Sequence, residues 1–518
     1  MSTDQPSGTR RSVLKGMALG AAALLMSDAT AGPLDPESPE QMRRQTLTRS
    51  KPDALGVSPS AVQAFVQGVN EKFGGLHSFM LLRHGKVAAE GWWAPYGPRD
   101  PHMLFSLSKS FTSTGVGLAQ AEGLLSIDDL VLPYFPKEAP ASPDGNLKAM
   151  RIRHLLCMGT GHDKDASGGA TGDPDGNWAK GFLSLPVEHK PGTHFAYNSA
   201  ATYMLSAIVQ KVSGKRLVDY LTPRLFEPLG IEGMTWETCP RGINCGGWGL
   251  SVKTEDIARF GQLYLQMGQW KGKQIIPAAW VQEATTQHIS NGDPSTPSDW
   301  AQGYGYQFWR CRHGAYRGDG AFGQYCLVMP DKDAVLAITS GLGDMQAVLN
   351  LVWERLLPGM ESGAFREPEP AAQLKQQLAD LSLAYVQGQV ASAAGEEASG
   401  KTFTFAGNDQ KIQSITPTFK GGRCTLKVRD DRMEHKLEVD HERWLKGRTT
   451  LGSGHPQKVA ASGGWTDADT YVIKMAFYET PFCPTITCRF KGKEMTYQYK
   501  NNVGFGPTEA PELTGKLS

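Results

Sequence analysis

Apolar positions recur every three or four residues in some stretches of this chain and every second residue in others. "SPSAVQAFVQGVNEKF", from Ser58, has helical spacing behind a serine able to cap the first turn. "SFMLLRHGKVAAEGWW" predicts two strands joined at "HGK" as a hairpin. "STGVGLAQAEGLL" predicts a close-packed helix, and from residue 130 to 300 helical segments alternate with loops rich in Gly and Pro. "ATYMLSAIVQKVSG" and "TEDIARFGQLYLQMG" are the clearest of these helices. Apolar, β-branched runs return at "GYGYQFWR", "QYCLVMP" and "AVLAITSG", and are expected to join the sheet of the early hairpin. "MQAVLNLVWERLLP" predicts a closing helix. Strands at both ends around a helical middle make an α/β sandwich pattern.

The pattern changes after Pro358. "EPEPAAQLKQQLADLSLAYVQGQVASAAGEEASG" reads as a helix and a small-residue linker, assigned to 365–400. From Lys401 onward the period is two: "KTFTFAG", "CTLKVRD", "MEHKLEVD", "TYVIKMAFYE" and "TITCRFKGKEMTYQYK" predict a C-terminal all-β domain over 401–518, an antiparallel sheet or small barrel. The α/β domain is placed at 52–360. No repeat of fixed period is found.

Composition narrows the function class. The chain has 518 residues, 40% hydrophobic, with a formal charge of +1, which gives no electrostatic footprint for nucleic acid. The start is distinctive: twin arginines Arg10 and Arg11, the apolar run Gly16 to Met26, then "ATA" at 29–31. This resembles a twin-arginine signal peptide over 1–31, and predicts a mature periplasmic or secreted protein beginning near Gly32. The apolar run is shorter than the ~20 residues a spanning helix needs, so no stable membrane insertion is expected after signal removal. The eight cysteines form no CxxC pair, which disfavours zinc; Cys239 and Cys245, flanking "PRGIN", are the best candidates for a disulfide, the others being equally compatible with buried thiols.

Candidate chemistry centres on "LFSLSKSFTS", residues 104–113, where four serines and Thr112 surround one lysine. Ser and Thr are mediocre helix formers, so a helix gains nothing from so many of them. If Ser106 opens a helix, Lys109 lies one turn on, on the same face, and the serine hydroxyl sits at the positive end of the helix. A lysine held in that wall loses solvent, its pKa falls, and its neutral amine can accept the serine proton. The spacing alone is weak, since "SVLK" at 12–15 repeats it inside the signal. Two further elements follow: "PGTHFAYNSAATYMLSAI", with Tyr197 in a polar loop before a helix, and "YRGDGAFGQYCLVMP", where glycines allow close backbone approach to a ligand.

In this order the three elements resemble the serine β-lactamase and penicillin-binding-protein-like hydrolases, especially class C β-lactamases, family VIII esterases and aminohexanoate-dimer hydrolases. "SLSK" matches the SxxK element, "YNS" the tyrosine element, and "GDGAFGQYCLVMP" takes the place of the KTG or HTG strand. "GLLSIDDLVLPYFP", "RIRHLLCMGTG", "LFEPLGI" and "GGWGLSVKTEDIARFGQLYLQMG" match connecting phrases, so the resemblance covers about residues 52 to 360. It implies a β-lactamase-like fold, an antiparallel sheet with flanking helices and a helical subdomain. It implies catalytic roles for Ser106 as nucleophile, Lys109 as base and Tyr197 as proton relay. It also implies a substrate-binding role for Ser199, Gly318, Gly320 and Ala321, the backbone N–H groups of Ser106 and Ala321 forming the oxyanion hole. Neither metal nor organic cofactor is implied, and small esters, amides or short peptides are the expected substrates. β-lactamase or D-alanyl-D-alanine carboxypeptidase activity is the alternative among enzymes, and a non-catalytic sensor that keeps the cleft is the rival from another class.

The sequence departs from the family at one point. Gly318, Asp319 and Gly320 stand where a Lys or His would begin the strand motif. Strand alternation turns Gly318 and Gly320 toward the cleft and Arg317 and Asp319 away from it, while an extended strand would carry Arg312 about 20 Å off. There is no GxSxG and no HExxH. "DPDGN" at 173–177 reads as a turn, and His162, His189 and His194 read as ordinary polar contacts, their spacing fitting no metal set.

Overall fold

The computed structural model describes residues 46–360 and 370–518. The expected signal segment, 1–31, lies outside the described residues. Two compact units result: 384–478 with 482–518, and a larger one that runs to Leu383 and includes 479–481.

In the larger unit a six-stranded antiparallel sheet runs in the order Lys86–Trp92, Ser78–Arg83, Ala334–Thr339, Gln324–Met329, Tyr316–Gly320, Trp309–Arg310. The hairpin near the start and the strands near the end therefore share one sheet, as their patterns predicted. The central strands Ser78–Arg83, Gln324–Met329 and Ala334–Thr339 are buried along their whole length, because helices cover both faces. One face carries the helix Pro59–Phe73, whose Ser58 hydroxyl accepts the Ala61 N–H, and the closing helix Met345–Leu351. The other carries Thr254–Leu265, Ser108–Ala121 and the helical middle.

The helix Ser108–Ala121 explains the crowding of hydroxyl residues. Residues 108 to 119 are all buried, and the helix is walled by loops whose backbone groups need partners. Ser110 donates to the Gln307 carbonyl (2.8 Å), Thr112 to Gly246 (2.8 Å) and Ser113 to Tyr306 (2.7 Å), while the Ser108 hydroxyl accepts from Leu250 N (3.1 Å). The hydroxyls lower helix propensity and in return satisfy buried loop backbone. Gly117 lies flat under Trp280, where a Cβ would sit 2.3 Å from the indole.

The smaller unit is a ten-stranded barrel, antiparallel except at one parallel bridge where Asp440 meets Ser462 to close the ring, and Phe403–Phe405 pairs with the last strand, Leu513–Leu517. Alternation is clear in Arg423–Arg429, where Cys424, Leu426 and Val428 point inward and the arginines and lysine outward. The segment 365–400, expected as a helix and linker, holds a helix at Pro370–Ala379 and is divided between the two units. Residues 384–400 belong to the barrel unit: Gln389 exchanges both backbone hydrogen bonds with Trp465, and Gly388 and Gly395 lie against that tryptophan. Leu381 and Leu383 instead bond through their backbones to Ala94 in the larger unit. Gly395 packs on the Trp465 ring and Gly388 on its backbone, a closeness that composition alone does not distinguish from a flexible linker.

Cys239 and Cys245 are free buried thiols, as are five of the other cysteines, with Cys483 partly exposed. The loop they flank is closed instead by backbone bonds, Cys239 N to Ile243 O and Cys245 N to Glu237 O. "DPDGN" is a turn, in which the Asp173 carboxylate accepts the N–H groups of Asp175 and Asn177.

Candidate active site

Ser106 lies in a single 3-10 turn, Phe105–Leu107, that leads into the helix Ser108–Ala121. Phe105, just before it, has a φ of +47°, a left-handed conformation costly for a large residue, so the chain enters this turn sharply. The expected one-turn spacing holds: Lys109 Nζ is 3.0 Å from Ser106 Oγ. The same ammonium position reaches Ser199 Oγ at 2.9 Å and the Gly247 carbonyl at 2.7 Å, and lies 4.9 Å from the centre of the Tyr197 ring.

Lys109 is buried, and burial pulls its pKa down to about 7 against the opposing attraction of Asp165 and Asp319. About half of it is then neutral near pH 7. A neutral amine has two N–H bonds and one lone pair. The Gly247 carbonyl can only accept, so it holds one N–H; Ser199 can accept the other, which leaves the lone pair for the Ser106 hydroxyl. Tyr197 faces the same serine, and burial raises its pKa above the ordinary tyrosine range, with Asp319 adding to the rise. The phenol therefore keeps its proton at neutral pH, and the amine is the group free to take one.

Neighbouring elements hold these groups still. Asn198 caps the helix Ser199–Ser213 by accepting Ala201 N–H, and its side-chain oxygen also accepts from Ala166. Asp165 accepts the Ser199 N–H at 3.1 Å, and Tyr197 stacks on Trp309 with ring centres 5.3 Å apart. Gly246 and Gly247 press so closely on this helix that a Cβ on Gly247 would lie 2.7 Å from the Ser199 carbonyl. Gly247, Asp165 and Trp309 are site neighbours that motif reasoning did not single out. Its one available signal was the glycine cluster in "GGWG".

The strand Tyr316–Gly320 completes the arrangement. Gly318 and Gly320 face the serine segment, as alternation predicted: a Cβ on Gly318 would meet Leu107 and Ser110, and one on Gly320 the Leu104 carbonyl and Leu107 N. Ala321 follows at the turn, which is pinned by Gln324 donating to the Ala321 and Ser340 carbonyls and by the Ser340 hydroxyl bonding Phe322 and Gly323. Arg317 and Asp319 take the other face, yet they are not remote. They form a buried ion pair of 2.8 Å, with the guanidinium 4.3 Å over Trp300, and the charge of Asp319 acts on Lys109 and Tyr197. Arg312 is not on an extended continuation of the strand. The chain turns at 311–315, and Arg312 pairs with Asp299 at 2.8 Å.

A sequence profile of the family Beta-lactamase matches residues 62–356, more than half of the chain and the whole of this site. The chain belongs to the Beta-lactamase family. It is a serine hydrolase of that family. Among its relatives is the 6-aminohexanoate-dimer hydrolase of Paenarthrobacter ureafaciens, 28% identical over 285 residues, which span 52% of this chain and 73% of the relative. A D-aminopeptidase of Brucella anthropi is 28% identical over 193 residues, 33% of this chain and 35% of the relative. Among solved structures, the octameric penicillin-binding protein homologue from Pyrococcus abyssi has 17% identity and a TM-score of 0.45, covering 88% of this chain and 99% of that one. The sheet and its helical layers meet at Ser106, Lys109 and Tyr197.

Proposed function

We propose that this Beta-lactamase-family chain hydrolyses small uncharged esters or amides through an acyl-enzyme on Ser106. The observation that carries the proposal is the buried Lys109 amine, 3.0 Å from Ser106 Oγ and held from behind by the Gly247 carbonyl. In the first step Ser106 Oγ bonds to the substrate carbonyl carbon as its proton passes to Lys109 Nζ. The oxyanion is received by the N–H groups of Ser106 and Ala321. The C–O or C–N bond of the substrate then breaks as the Tyr197 hydroxyl protonates the leaving group and recovers a proton from Lys109. Water attacks the acyl carbon, gives its proton back along the same route, and releases the acid and free Ser106. Ser199 orients the amine.

Substrate charge follows from what surrounds the amine. Asp165 and Asp319, the charges that act on Lys109, are both negative. The two arginines nearest in sequence to the glycine strand motif are engaged, Arg317 with Asp319 and Arg312 with Asp299. Gly318 and Gly320 offer no cation. A substrate carboxylate therefore lacks the attraction that a strand lysine would supply. On one purified preparation, kcat/KM for a short-chain aryl ester is expected to exceed that for a cephalosporin or a D-alanyl-D-alanine peptide by about tenfold or more. Carboxylate substrates leading by that margin would refute the uncharged preference and leave the acyl-enzyme intact as a separate question. A preparation inactive on all three, and unlabelled by a fluorophosphonate, would refute hydrolysis.

Export by the twin-arginine route is proposed from Arg10, Arg11 and the "ATA" triplet. Amino-terminal sequencing of exported protein is expected to start at Gly32, and replacing both arginines by lysine to block export. Residues 1–31 retained on exported protein would contradict it.

A further inference from the structure

Asp163 lies 26 residues before His189 in the sequence and meets it and His194 in the fold. Each offers one ligand atom, and these atoms lie within 4.8 Å of one another. His189 Nε2 is 3.3 Å from Asp163 Oδ1, and the two imidazoles stack with centres 4.1 Å apart. The cause of the convergence is local. "HKPGTH" places a Pro-Gly pair between the histidines; Gly192 has a φ of +87° and Thr193 N–H bonds to the Lys190 carbonyl, the pattern of a type II turn. The chain doubles back, and two histidines five residues apart come side by side. Asp163 arrives from a neighbouring segment that runs beside this one. His189 N–H bonds to Gly161 O (2.8 Å), Gly192 N–H to Gly159 O (2.7 Å) and Ala196 N–H to Met158 O (3.1 Å). Gly161 admits no side chain, since a Cβ there would fall on the His189 carbonyl.

We propose that Asp163, His189 and His194 form a binding site for a divalent transition metal, of which zinc is the best match. Two imidazole nitrogens and one carboxylate oxygen are a borderline donor set suited to zinc, at about 2.0–2.2 Å per bond. Ligands around a tetrahedral ion stand about 3.4 Å apart by that geometry. The His189–Asp163 distance is already there, and small rotations of the exposed Asp163 and half-buried His194 side chains bring the remaining ligand atoms, now within 4.8 Å, to that spacing. Solvent supplies the fourth position, because Asp163 is exposed and both histidines are only half-buried. Glu188, whose carboxylate accepts the Asp163 N–H at 3.1 Å, fixes the backbone of the aspartate. The ion staples segment 158–163 to segment 187–198, and the second of these carries Tyr197. The site is thus a brace on the loop that carries the tyrosine, distinct from the serine and lysine, and it takes no part in bond breaking.

The test uses the full chain without a polyhistidine tag, stripped with a chelator, and titrated with zinc chloride alone by calorimetry. One equivalent is expected to bind, with affinity at least about tenfold lower in His194→Gln and in Asp163→Asn. Both side chains reach solvent, and apo melting temperatures close to wild type show that the variants fold. Cobalt in place of zinc is expected to give visible absorption bands that His194→Gln removes. Hydrogen exchange of residues 187–198 is expected to slow on zinc addition in the wild type and not in His194→Gln. Binding weaker than about 1 mM, or zinc uptake that neither substitution changes, overturns the site.

Discussion

Alanine at Ser106 will abolish turnover and covalent labelling together, with kcat falling by at least about 10⁴-fold, because no other group replaces a nucleophile in an acyl-enzyme path. A fluorophosphonate is expected to add its mass at Ser106 alone, read by peptide mass mapping; label that survives the substitution sinks the mechanism. Lys109 supports the same step through its protonation state. Its pKa, drawn to about 7 by burial, makes the ammonium dominant below that pH and the amine dominant above it. Only the amine accepts a proton, so log kcat/KM is expected to climb with unit slope as pH rises toward 7 and then level off. Tyr197, with its pKa raised by burial, contributes no fall in the neutral range. Lys109→Arg keeps the positive charge but cannot deprotonate, and should stay inactive at every pH tested. A flat profile between pH 5 and 8, or an active arginine variant, would remove Lys109 from the role of base.

Gly320→Ala is expected to lower kcat by about 10²- to 10³-fold with little change in KM, the loss typical of one oxyanion donor. The reason is steric. A methyl group on Gly320 would collide with the Leu104 carbonyl and press to 3.1 Å from Leu107 N, both backbone atoms of the turn that holds Ser106. The strand must retreat, and Ala321 N–H, one residue on, moves away from Ser106 N–H. Gly318→Ala is the control, because its new methyl meets the side chains of Leu107 and Ser110, which can yield in part. A Gly320→Ala enzyme that folds and keeps kcat within about threefold of wild type would show that the strand does not set the oxyanion site.

Much of this arrangement was legible in the chain itself. Periods of 3.6 and 2 located the sheet strands, the Ser58-capped helix and the barrel, since burial of one face imposes those repeats on any sequence. The spacing of "SLSK" put Lys109 beside Ser106, because a helix turn puts residues three apart on one face, while only the family resemblance implied that "YNS" and "GDG" join them. Strand parity correctly turned Gly318 and Gly320 toward the serine.

What the chain could not disclose was every relation between segments that no local period links. The hydroxyl-rich helix has a reason only once Gln307, Gly246 and Tyr306 present their carbonyls to it. The Gly247 carbonyl, 138 residues from Lys109, carries no side chain and so leaves no mark of its chemistry in the sequence. The small residues of the expected helix and linker, 365–400, gave no sign of their packing, because composition records size and not the Trp465 ring and backbone against which Gly395 and Gly388 lie. Arg317 and Asp319 were expected to point away, yet the field of Asp319 still reaches Lys109, since charge acts through space where alternation describes only direction. The sequence by itself determined which residues could do this chemistry and on which faces they lie; tertiary structure alone decided the burial and the distant partners that bring a lysine to a pKa near 7.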